Sequence, residues 1–164
     1  MIKLVAATSF QQLQIIENLA NEIWNEHYTP IIGKAQVDYM LEKFQNVEAM
    51  FKQIDNNYKY FIVKHNKKDV GYLAFKINNY DLFLSKIYIL KAFRGKSLGK
   101  QAMEFVSKQA SNSNCKTITL TVNKNNSNSI KAYEKIGFIN IEELVQDIGC
   151  GFVMDDYKMS KNLG

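Results

Sequence analysis

The sequence predicts an α/β (α+β) fold in which a mixed, mostly antiparallel central sheet of six to seven strands carries helices on both faces. Segments with strand and helix patterns follow one another in the order β-α-α-β-β-β-α-β-α-β-β. Two of the strands, residues 58–65 and 70–77, are joined by the polar segment 66–69, which is typical of an antiparallel hairpin. No repeat, linker or low-complexity segment divides the chain, so we expect residues 1–164 to form a single domain.

The composition argues against several classes of protein. The chain carries a net charge of +5, and it has no apolar run of the ~20 residues that a membrane-spanning helix needs. It begins without a signal segment, so we expect a soluble, cytoplasmic protein with no membrane partner. The two cysteines and two histidines are too few and too scattered for a zinc site or a disulfide framework, and we expect no metal. The lysines form no basic patch interleaved with aromatic residues, so we expect no nucleic-acid partner.

The first third of the chain predicts one short strand, residues 1–7, and two helices. Thr8 or Ser9 can cap the first helix, and Pro30 ends this element. Its apolar face recurs at helical spacing and consists of Leu13, Ile16, Leu19, Ala20, Ile23 and Trp24. Residues 27–33 have no periodicity and predict a loop. The second helix extends to about residue 54, with an apolar face of Val37, Met40, Leu41, Phe44 and Val47.

After the hairpin, residues 81–90 predict a third long strand, and residues 98–110 have the spacing of a helix. Residues 116–122 alternate apolar side chains with threonines, a clear strand pattern. A short helix, residues 130–135, ends at Gly137, where a left-handed conformation is expected. The last two strands are predicted at residues 138–146 and 152–159.

A basic turn lies between the third long strand and the helix that follows it. Its sequence is Arg94-Gly95-Lys96-Ser97-Leu98-Gly99-Lys100. Backbone N–H groups converge where a strand, a glycine-bearing turn and a helix N-terminus follow in this order, and the helix dipole favours negative charge there. A plain strand-to-helix turn needs only one glycine, so two glycines among three cations indicate an anion site. A nucleotide P-loop is excluded, because it needs a glycine where Leu90 stands.

A second segment has the sequence Asn125-Asn126-Ser127-Asn128-Ser129-Ile130-Lys131-Ala132-Tyr133-Glu134-Lys135-Ile136-Gly137-Phe138. Taken alone, it indicates only a polar helix entry, a short helix and an exit into a strand. Tyr133 would then be an aromatic residue at the edge of the core. The combination with the basic turn, at this spacing, is much more specific than either segment.

Together the two segments resemble the GNAT superfamily of N-acetyltransferases. The basic turn resembles the acyl-CoA pyrophosphate loop of that family, Gln/Arg-x-x-Gly-x-Gly/Ala. The second segment is similar to its Asn-x-x-Ala-x-x-x-Tyr-x-Lys-x-Gly-Phe pattern. These motifs and the elements between them cover about a third of the chain, and the element order extends the match over nearly all of it. Residues 85–89 and 156–159 also look like the bacterial polyamine acetyltransferase branch, less specifically.

The resemblance implies the GNAT fold and an acetyl-CoA-dependent N-acetyltransferase. The basic turn would wrap the pyrophosphate with backbone N–H groups, and Ile87 and Ile89 would pair through their backbone with the pantetheine arm. The N–H of Ile89 would face the thioester carbonyl as an oxyanion donor. Asn126 would bind the cofactor arm, and Tyr133 would protonate the departing thiolate. The implied cofactor-binding residues are Ile87, Tyr88, Ile89, Arg94, Gly95, Lys96, Ser97, Leu98, Gly99, Lys100, Asn126 and Tyr133.

Two residues depart from the family pattern. Ser97 stands where the family prefers glycine, which is acceptable if only its N–H is used and its hydroxyl caps the helix. Ser129 replaces the usual alanine, a change between two small side chains.

The general base is not defined by the sequence. An acceptor amine with a pKa near ~10 is mostly protonated at pH 7, so a base or a chain of water molecules must remove its proton. Many relatives carry a glutamate on the strand before the pyrophosphate loop, but residues 81–86 contain none. The candidates are Tyr88, Glu26 and His27. The resemblance also places His27 and Tyr28 at the wall of the acceptor site, where they would bind substrate.

The acceptor is expected to be a primary amine of a small molecule or a peptide. A polyamine would need convergent carboxylates, and the available ones are Glu22, Glu26, Glu142, Glu143, Asp155 and Asp156. The alternative to an enzyme is a regulatory module of the same fold that binds acyl-CoA without turnover. The sequence leaves the oligomeric state open, but dimers are common in the family, and the last two strands are candidate contacts for a homodimer.

Overall fold

Seven strands and six α-helices make up the structure, a computed structural model that describes residues 1–164. The strands are β1 Ile2–Ala6, β2 Lys59–His65, β3 Lys68–Asn78, β4 Asp81–Ile89, β5 Thr117–Asn123, β6 Ile139–Gly149 and β7 Phe152–Asn162. The helices are α1 Phe10–His27, α2 Thr29–Ile32, α3 Lys34–Phe44, α4 Val47–Asp55, α5 Leu98–Asn112 and α6 Ser127–Lys135. None of these helices is both long and apolar enough to cross a membrane.

The strands form one sheet in the order β1-β2-β3-β4-β5-β7-β6. Strand β4 pairs with β5 in parallel, whereas the β1–β2, β2–β3, β5–β7 and β6–β7 pairs are antiparallel. Strand β5 follows β4 through α5, the crossover that a parallel pair requires. The predicted mixed, mostly antiparallel sheet is therefore confirmed.

Two hairpins close through two-residue loops. Asn66 and Lys67, between β2 and β3, have φ angles of 50° and 66°. Cys150 and Gly151, between β6 and β7, have φ angles of 53° and 78°. Positive φ at both central residues is the signature of the turn whose twist matches the strands that it joins. The polar segment 66–69 thus makes the hairpin that its composition predicted.

Helix α1 has a well-defined beginning. The side chain of Ser9 accepts a hydrogen bond from the Gln12 backbone N–H, and the Gln12 side chain accepts from the Ser9 backbone N–H, a capping box. The six residues of its predicted apolar face are all buried. Its end differs from the prediction, because residues 27–33 are not a loop: α1 runs to His27, and the short α2 follows with Pro30 in its first turn. Proline fits there because the first turn of a helix leaves its N–H groups without intrahelical partners.

The predicted second helix is interrupted at Gln45 and Asn46. The Asn46 side chain accepts a hydrogen bond of 2.7 Å from the Ala49 backbone N–H and caps α4. The Gln45 side chain is buried and donates to the Phe44 carbonyl at 2.7 Å. At Gln45 and Asn46, side-chain hydrogen bonds to the backbone replace helical ones. The helix therefore breaks there, although the apolar pattern continues from α3 into α4.

Backbone contacts divide the chain into two compact units. The first unit comprises Met1–Lys76 and Leu84–Lys108, and the second comprises Ile77–Phe83 and Gln109–Gly164. Strand β4 therefore begins in the second unit and continues in the first. The single domain stays a prediction.

Candidate functional site

The basic turn in the first unit leads directly into α5. A short 3₁₀ helix, Lys91–Phe93, follows β4, and the side chains of Arg94 and Lys96 are exposed. Leu98 is only 2% exposed and anchors the first turn of the helix in the core. The N–H of Gln101 donates to the Ser97 carbonyl at 3.1 Å, so the N–H groups of the three residues before it face the open end of the helix. Free N–H groups and neighbouring cations are the elements of an anion site.

Two residues of the basic turn have left-handed backbone conformations. Gly95 has a φ of +80°, and a Cβ added to it would meet no atom within 4 Å. Ser97 has a φ of 60°, which side-chain-bearing residues rarely adopt. The preference for glycine at this position therefore has a conformational cause. Serine keeps the same backbone shape at a cost of about 1 kcal/mol.

At the end of β4, the backbone N–H and C=O groups of successive residues point alternately towards β3 and away from it. The Leu90 N–H donates to the Val70 carbonyl of β3 at 2.8 Å. A Cβ added to Gly71 of β3 would overlap the carbonyl oxygen of Tyr88, so this carbonyl also faces β3. Because successive residues of a strand point their backbone groups in opposite directions, those of Ile87 and Ile89 face away from β3.

The other side of this segment is not covered by the β5 ladder. The parallel pairs between β4 and β5 are Asp81–Thr117, Leu82–Ile118 and Phe83–Thr119. The ladder does not extend to the part of β4 that belongs to the first unit. Ile87 and Ile89 consequently lie on a strand edge that can receive an extended ligand.

Arg94 connects the basic turn with this edge. Its Nε donates to the Ile89 carbonyl at 3.2 Å. Burial, and then the positive charge of Arg94, lower the pKa of His27. His27 is therefore neutral at pH 7, and it lies within electrostatic range of the basic turn.

Four side chains, Trp24, His27, Tyr28 and Tyr88, form what we call the aromatic corner of the first unit. The hydroxyl oxygens of Tyr28 and Tyr88 lie 2.9 Å apart. The Trp24 ring contacts both tyrosine rings edge-on, with centroids 5.3 Å and 6.0 Å away. The His27 and Tyr28 rings are 4.7 Å apart. Of the two residues predicted for the acceptor wall, the structure thus places Tyr28 against Tyr88 of β4 and His27 against Tyr28.

The three candidates for the general base differ in burial. Glu26 lies on the exposed face of α1, together with Glu22. His27 and Tyr88 are half-buried in the aromatic corner. A fourth titratable group, Lys86, was missed at the level of the sequence: it is partly buried, its Nζ donates to the Ser85 hydroxyl at 2.7 Å, and burial lowers its pKa to about 8. A lysine inside a largely apolar strand was the available signal.

Asn126 and Tyr133 lie in the second unit, at the two ends of α6. Asn126 is 5% exposed, and its backbone carbonyl accepts the first helical hydrogen bond, from Ile130, at 3.1 Å. Its side chain makes no capping hydrogen bond to the helix. The Tyr133 ring contacts the Phe138 ring edge-on at 5.7 Å, and the Tyr133 carbonyl accepts from the Phe138 N–H. The helix ends at Gly137 with a φ of +105°, as its sequence predicted.

Carboxylates gather around Lys124 in the second unit. Its Nζ lies 2.8 Å from Asp155 and 3.7 Å from Glu143. Asp156 is only 7% exposed; burial, followed by the charge of Asp155, raises its pKa to about 6, although Lys124 acts in the opposite direction. The paired cation was not part of the sequence prediction. It partly neutralises the carboxylates that a polyamine would use.

No group of three or more His, Cys, Asp or Glu side chains is arranged to hold a metal ion. Cys115 is buried and Cys150 exposed, and both are free thiols.

The sequence matches a known family over most of its length. Residues 16–138 match the family described as the Acetyltransferase (GNAT) family. The chain belongs to the GNAT acetyltransferase family, whose members are acetyl-CoA-dependent N-acetyltransferases. The resemblance noted from the two motifs is thereby confirmed.

Solved structures share the fold over the whole chain at low sequence identity. The PaiA N-acetyltransferase from Thermoplasma acidophilum, solved in complex with coenzyme A, is 18% identical with a TM-score of 0.82, and the match covers 99% of each chain. The ribosomal-protein-S18-alanine N-acetyltransferase from Escherichia coli is 14% identical with a TM-score of 0.74, covering 100% of this chain and 95% of that one. A chimera of the spermidine N-acetyltransferase SpeG from Vibrio cholerae and hSSAT is 22% identical with a TM-score of 0.69, covering 98% and 95%. At these identities, the matches establish the GNAT fold.

Proposed function

We propose that this protein transfers the acetyl group of acetyl-CoA directly to a primary amine of a small molecule or peptide. The observation that carries the proposal is the end of β4, where the backbone groups of Ile87 and Ile89 face away from β3 beside the basic turn. An extended pantetheine arm can pair with such an edge while the N–H groups at the start of α5 hold the pyrophosphate. The solved complex of the Thermoplasma relative with coenzyme A supports this choice of ligand.

The proposed chemistry uses two groups of this chain. Bound acetyl-CoA supplies an activated acetyl group as a thioester. The Ile89 N–H stabilises the negative charge that develops on the carbonyl oxygen when an amine attacks. Tyr133 gives its hydroxyl proton to the departing sulfur, a role suited to a phenol because phenols are protonated at neutral pH.

Substitution of Tyr133 by phenylalanine tests the reaction. Removing a general acid should lower kcat about 10²-fold, while the dissociation constant for acetyl-CoA stays unchanged. Thiol release followed with a chromogenic disulfide measures the first quantity, and calorimetric titration measures the second. Tyr80→Phe is the matched control, because Tyr80 is an exposed tyrosine of the same unit. If wild type and variant release thiol equally slowly with every amine, the non-catalytic acyl-CoA-binding module becomes the better description.

The ligand class can be tested separately by thermal unfolding. A ligand that binds only the folded state raises the unfolding midpoint, by an amount that grows with its concentration. Acetyl-CoA should raise the midpoint, and ATP at the same concentration should raise it far less. Stabilisation by ATP alone would overturn the proposed cofactor.

The acceptor needs a screen, because the named relatives point to different amines. One is named as an N-acetyltransferase of an alanine of ribosomal protein S18, and another as a spermidine N-acetyltransferase. Polyamines, amino acids, aminoglycosides and peptide N-termini should therefore be compared by thiol release. Strong preference for polyamines would assign a binding role to Asp155, Asp156 and Glu143.

A homodimer stays a prediction. Strand β6 lies at the end of the sheet, where its outer backbone groups have no neighbouring strand. It exposes Ile139, Ile141 and Val145. Light scattering of the wild type and of Val145→Lys tests whether this edge joins two copies.

A further inference from the structure

We infer that the Tyr28–Tyr88 hydroxyl pair removes the proton of the acceptor amine, with Tyr88 touching the amine and Tyr28 passing the proton on to water. The inference rests on the proposed function and names the base that the sequence left open. It makes Tyr88 a catalytic residue and Tyr28 a positioning residue that acts through it. No carboxylate takes part.

The geometry supports a shared proton. The two hydroxyl oxygens are 2.9 Å apart, and either hydroxyl can be the donor, so a proton can pass from one to the other. Tyr88 stands between Ile87 and Ile89, the residues whose backbone faces the proposed thioester. Tyr28 directly follows α1. It is sixty residues away from Tyr88 in the chain. The pair thus connects the proposed reaction centre with a half-buried, water-accessible position.

The surrounding side chains hold this pair in place. The Trp24 ring contacts both tyrosines edge-on, and Trp24 is almost fully buried. The Tyr72 ring of β3 lies 5.4 Å from the Tyr88 ring. Both tyrosine rings therefore pack against side chains that are themselves buried.

The transfer balances without a charged intermediate on the protein. In one concerted step the ammonium N–H bond breaks as its proton joins Tyr88 Oη, the Tyr88 proton moves to Tyr28 Oη, and the Tyr28 proton moves to a water molecule. The hydronium ion formed there leaves into the solvent. Both phenols end neutral, and the amine keeps the electron pair with which it attacks the acetyl carbon.

The pH dependence of activity has to be separated from the titration of other groups near the pair. His27 is the last residue of α1, and Arg94 lies in the basic turn. Tyr72 lies on β3, and Lys86 lies two residues before Tyr88 on β4. Positions two apart on a strand share a face, so Lys86 is on the Tyr88 side of β4. Arg94 donates through its Nε to the Ile89 carbonyl, and Tyr72 is fully buried with its hydroxyl hydrogen-bonded to Gln45. His27 and Lys86 are the groups that the experiment must separate from the pair.

The test compares Tyr28→Phe, Tyr88→Phe and the double variant with wild type, using the amine that gives the fastest thiol release in the screen. Each single variant should lower kcat/KM for the amine about 10²-fold near pH 7, without changing the affinity for acetyl-CoA. The kcat/KM of the double variant should be no lower than that of the less active single variant, because either substitution interrupts the same proton transfer. Tyr80→Phe serves as the control for loss of a tyrosine hydroxyl.

The pH profile separates a proton-transfer role from a structural one. Without the pair, only amine molecules that arrive neutral can react, so kcat/KM of the variants should rise towards the wild-type value as the pH approaches the amine pKa of ~10, or of ~8 for a peptide N-terminus. A constant loss across pH would show that the pair only shapes the pocket. Multiplying effects in the double variant would show two independent roles, and either result overturns the inference.

Two further variants complete the design. If Lys86→Met or His27→Gln shows the pH-dependent loss of kcat/KM that we expect of the tyrosine variants, while Tyr28→Phe and Tyr88→Phe behave like Tyr80→Phe, the proton acceptor is that residue and not the pair. If the wild type releases no thiol with any amine, the proposed function itself fails. An active wild type with unaffected tyrosine variants overturns only the present inference.

Discussion

Two networks of tyrosine hydroxyls lie side by side in the first unit, and they differ in access to water. In the buried network, the Tyr72 hydroxyl accepts from Trp24 Nε1 at 3.0 Å and donates to Gln45 at 2.6 Å, and Gln45 donates to Tyr60 at 3.1 Å. Tyr60 in turn donates to Gln53. The second network is the half-buried Tyr28–Tyr88 pair of the aromatic corner. Trp24 belongs to both, with its N–H in the first and its ring against the second.

Both networks are made of tyrosine hydroxyls, so solvent access, and not residue type, distinguishes the buried network from the pair to which we assign proton transfer. Burial raises the pKa of both Tyr60 and Tyr72, so these phenols stay protonated, and their partners are protein groups. A proton that entered this network could not leave it for water. The Tyr28–Tyr88 pair has the same kind of hydrogen bond, but it reaches the surface.

The largest effect is expected from a change that pushes apart β3 and β4, the strands that carry Tyr72 and Tyr88. In Gly71→Ala, the new Cβ would overlap the Tyr88 carbonyl oxygen, and β4 would have to move away from β3. We expect a loss of about 3 kcal/mol in the free energy of unfolding, measured by urea titration. Gly99→Ala is the control, because a Cβ there meets no atom within 4 Å and the helical backbone accepts alanine. Equal stability of the two variants would mean that β3 and β4 are not held at this distance.

The buried network should respond in stability and the half-buried pair in activity. Tyr72→Phe leaves Trp24 Nε1 and the side-chain Oε1 of Gln45 without their partner inside the core, which should cost about 2 kcal/mol of unfolding free energy. Tyr28→Phe should cost less than about 1 kcal/mol, because water can replace the lost hydroxyl. Urea titration and kcat of the folded protein, measured on both variants, check the contrast. A large loss of kcat in Tyr72→Phe with little loss of stability would reverse the assignment.

A smaller effect is expected from the titration of His27 beside the half-buried pair. Its pKa in the folded protein is below 6.5, its ordinary value, so the unfolded chain binds the proton more readily. Stability should therefore fall as the pH drops from 6.5 through the lower folded pKa, and stay unaffected by this group above that range. His27→Gln should show a shallower acid loss in thermal unfolding scans. The same slope in both proteins would mean that burial and Arg94 do not act on this imidazole.

The sequence predicted those parts of the fold that depend on local pattern. The apolar face of α1, the hairpin at Asn66 and Lys67, and the left-handed Gly137 all follow from spacing or turn chemistry within a few residues. The break between α3 and α4 could not be predicted, because the Asn46 cap competes with a helical pattern that continues across it. The spacing of apolar residues in a sequence does not indicate where a side-chain hydrogen bond replaces a backbone one.

The candidate site shows the same division. The basic turn and the α6 segment were visible as motifs, since their chemistry is contiguous in the chain. The contact between Tyr28 and Tyr88 joins residues that are distant in sequence, and the low pKa of Lys86 depends on what packs over it. Both are consequences of tertiary packing, which no short stretch of sequence contains.

The left-handed Ser97 has a consequence for how affinity is distributed. The positive φ angles of the basic turn are part of the folded backbone, so the conformational cost at Ser97 belongs to folding. A ligand that binds a turn of finished shape does not have to supply this cost again, which is preorganisation. Exchange of this serine for glycine would therefore change the free energy of unfolding, while leaving the dissociation constant for an anion nearly constant.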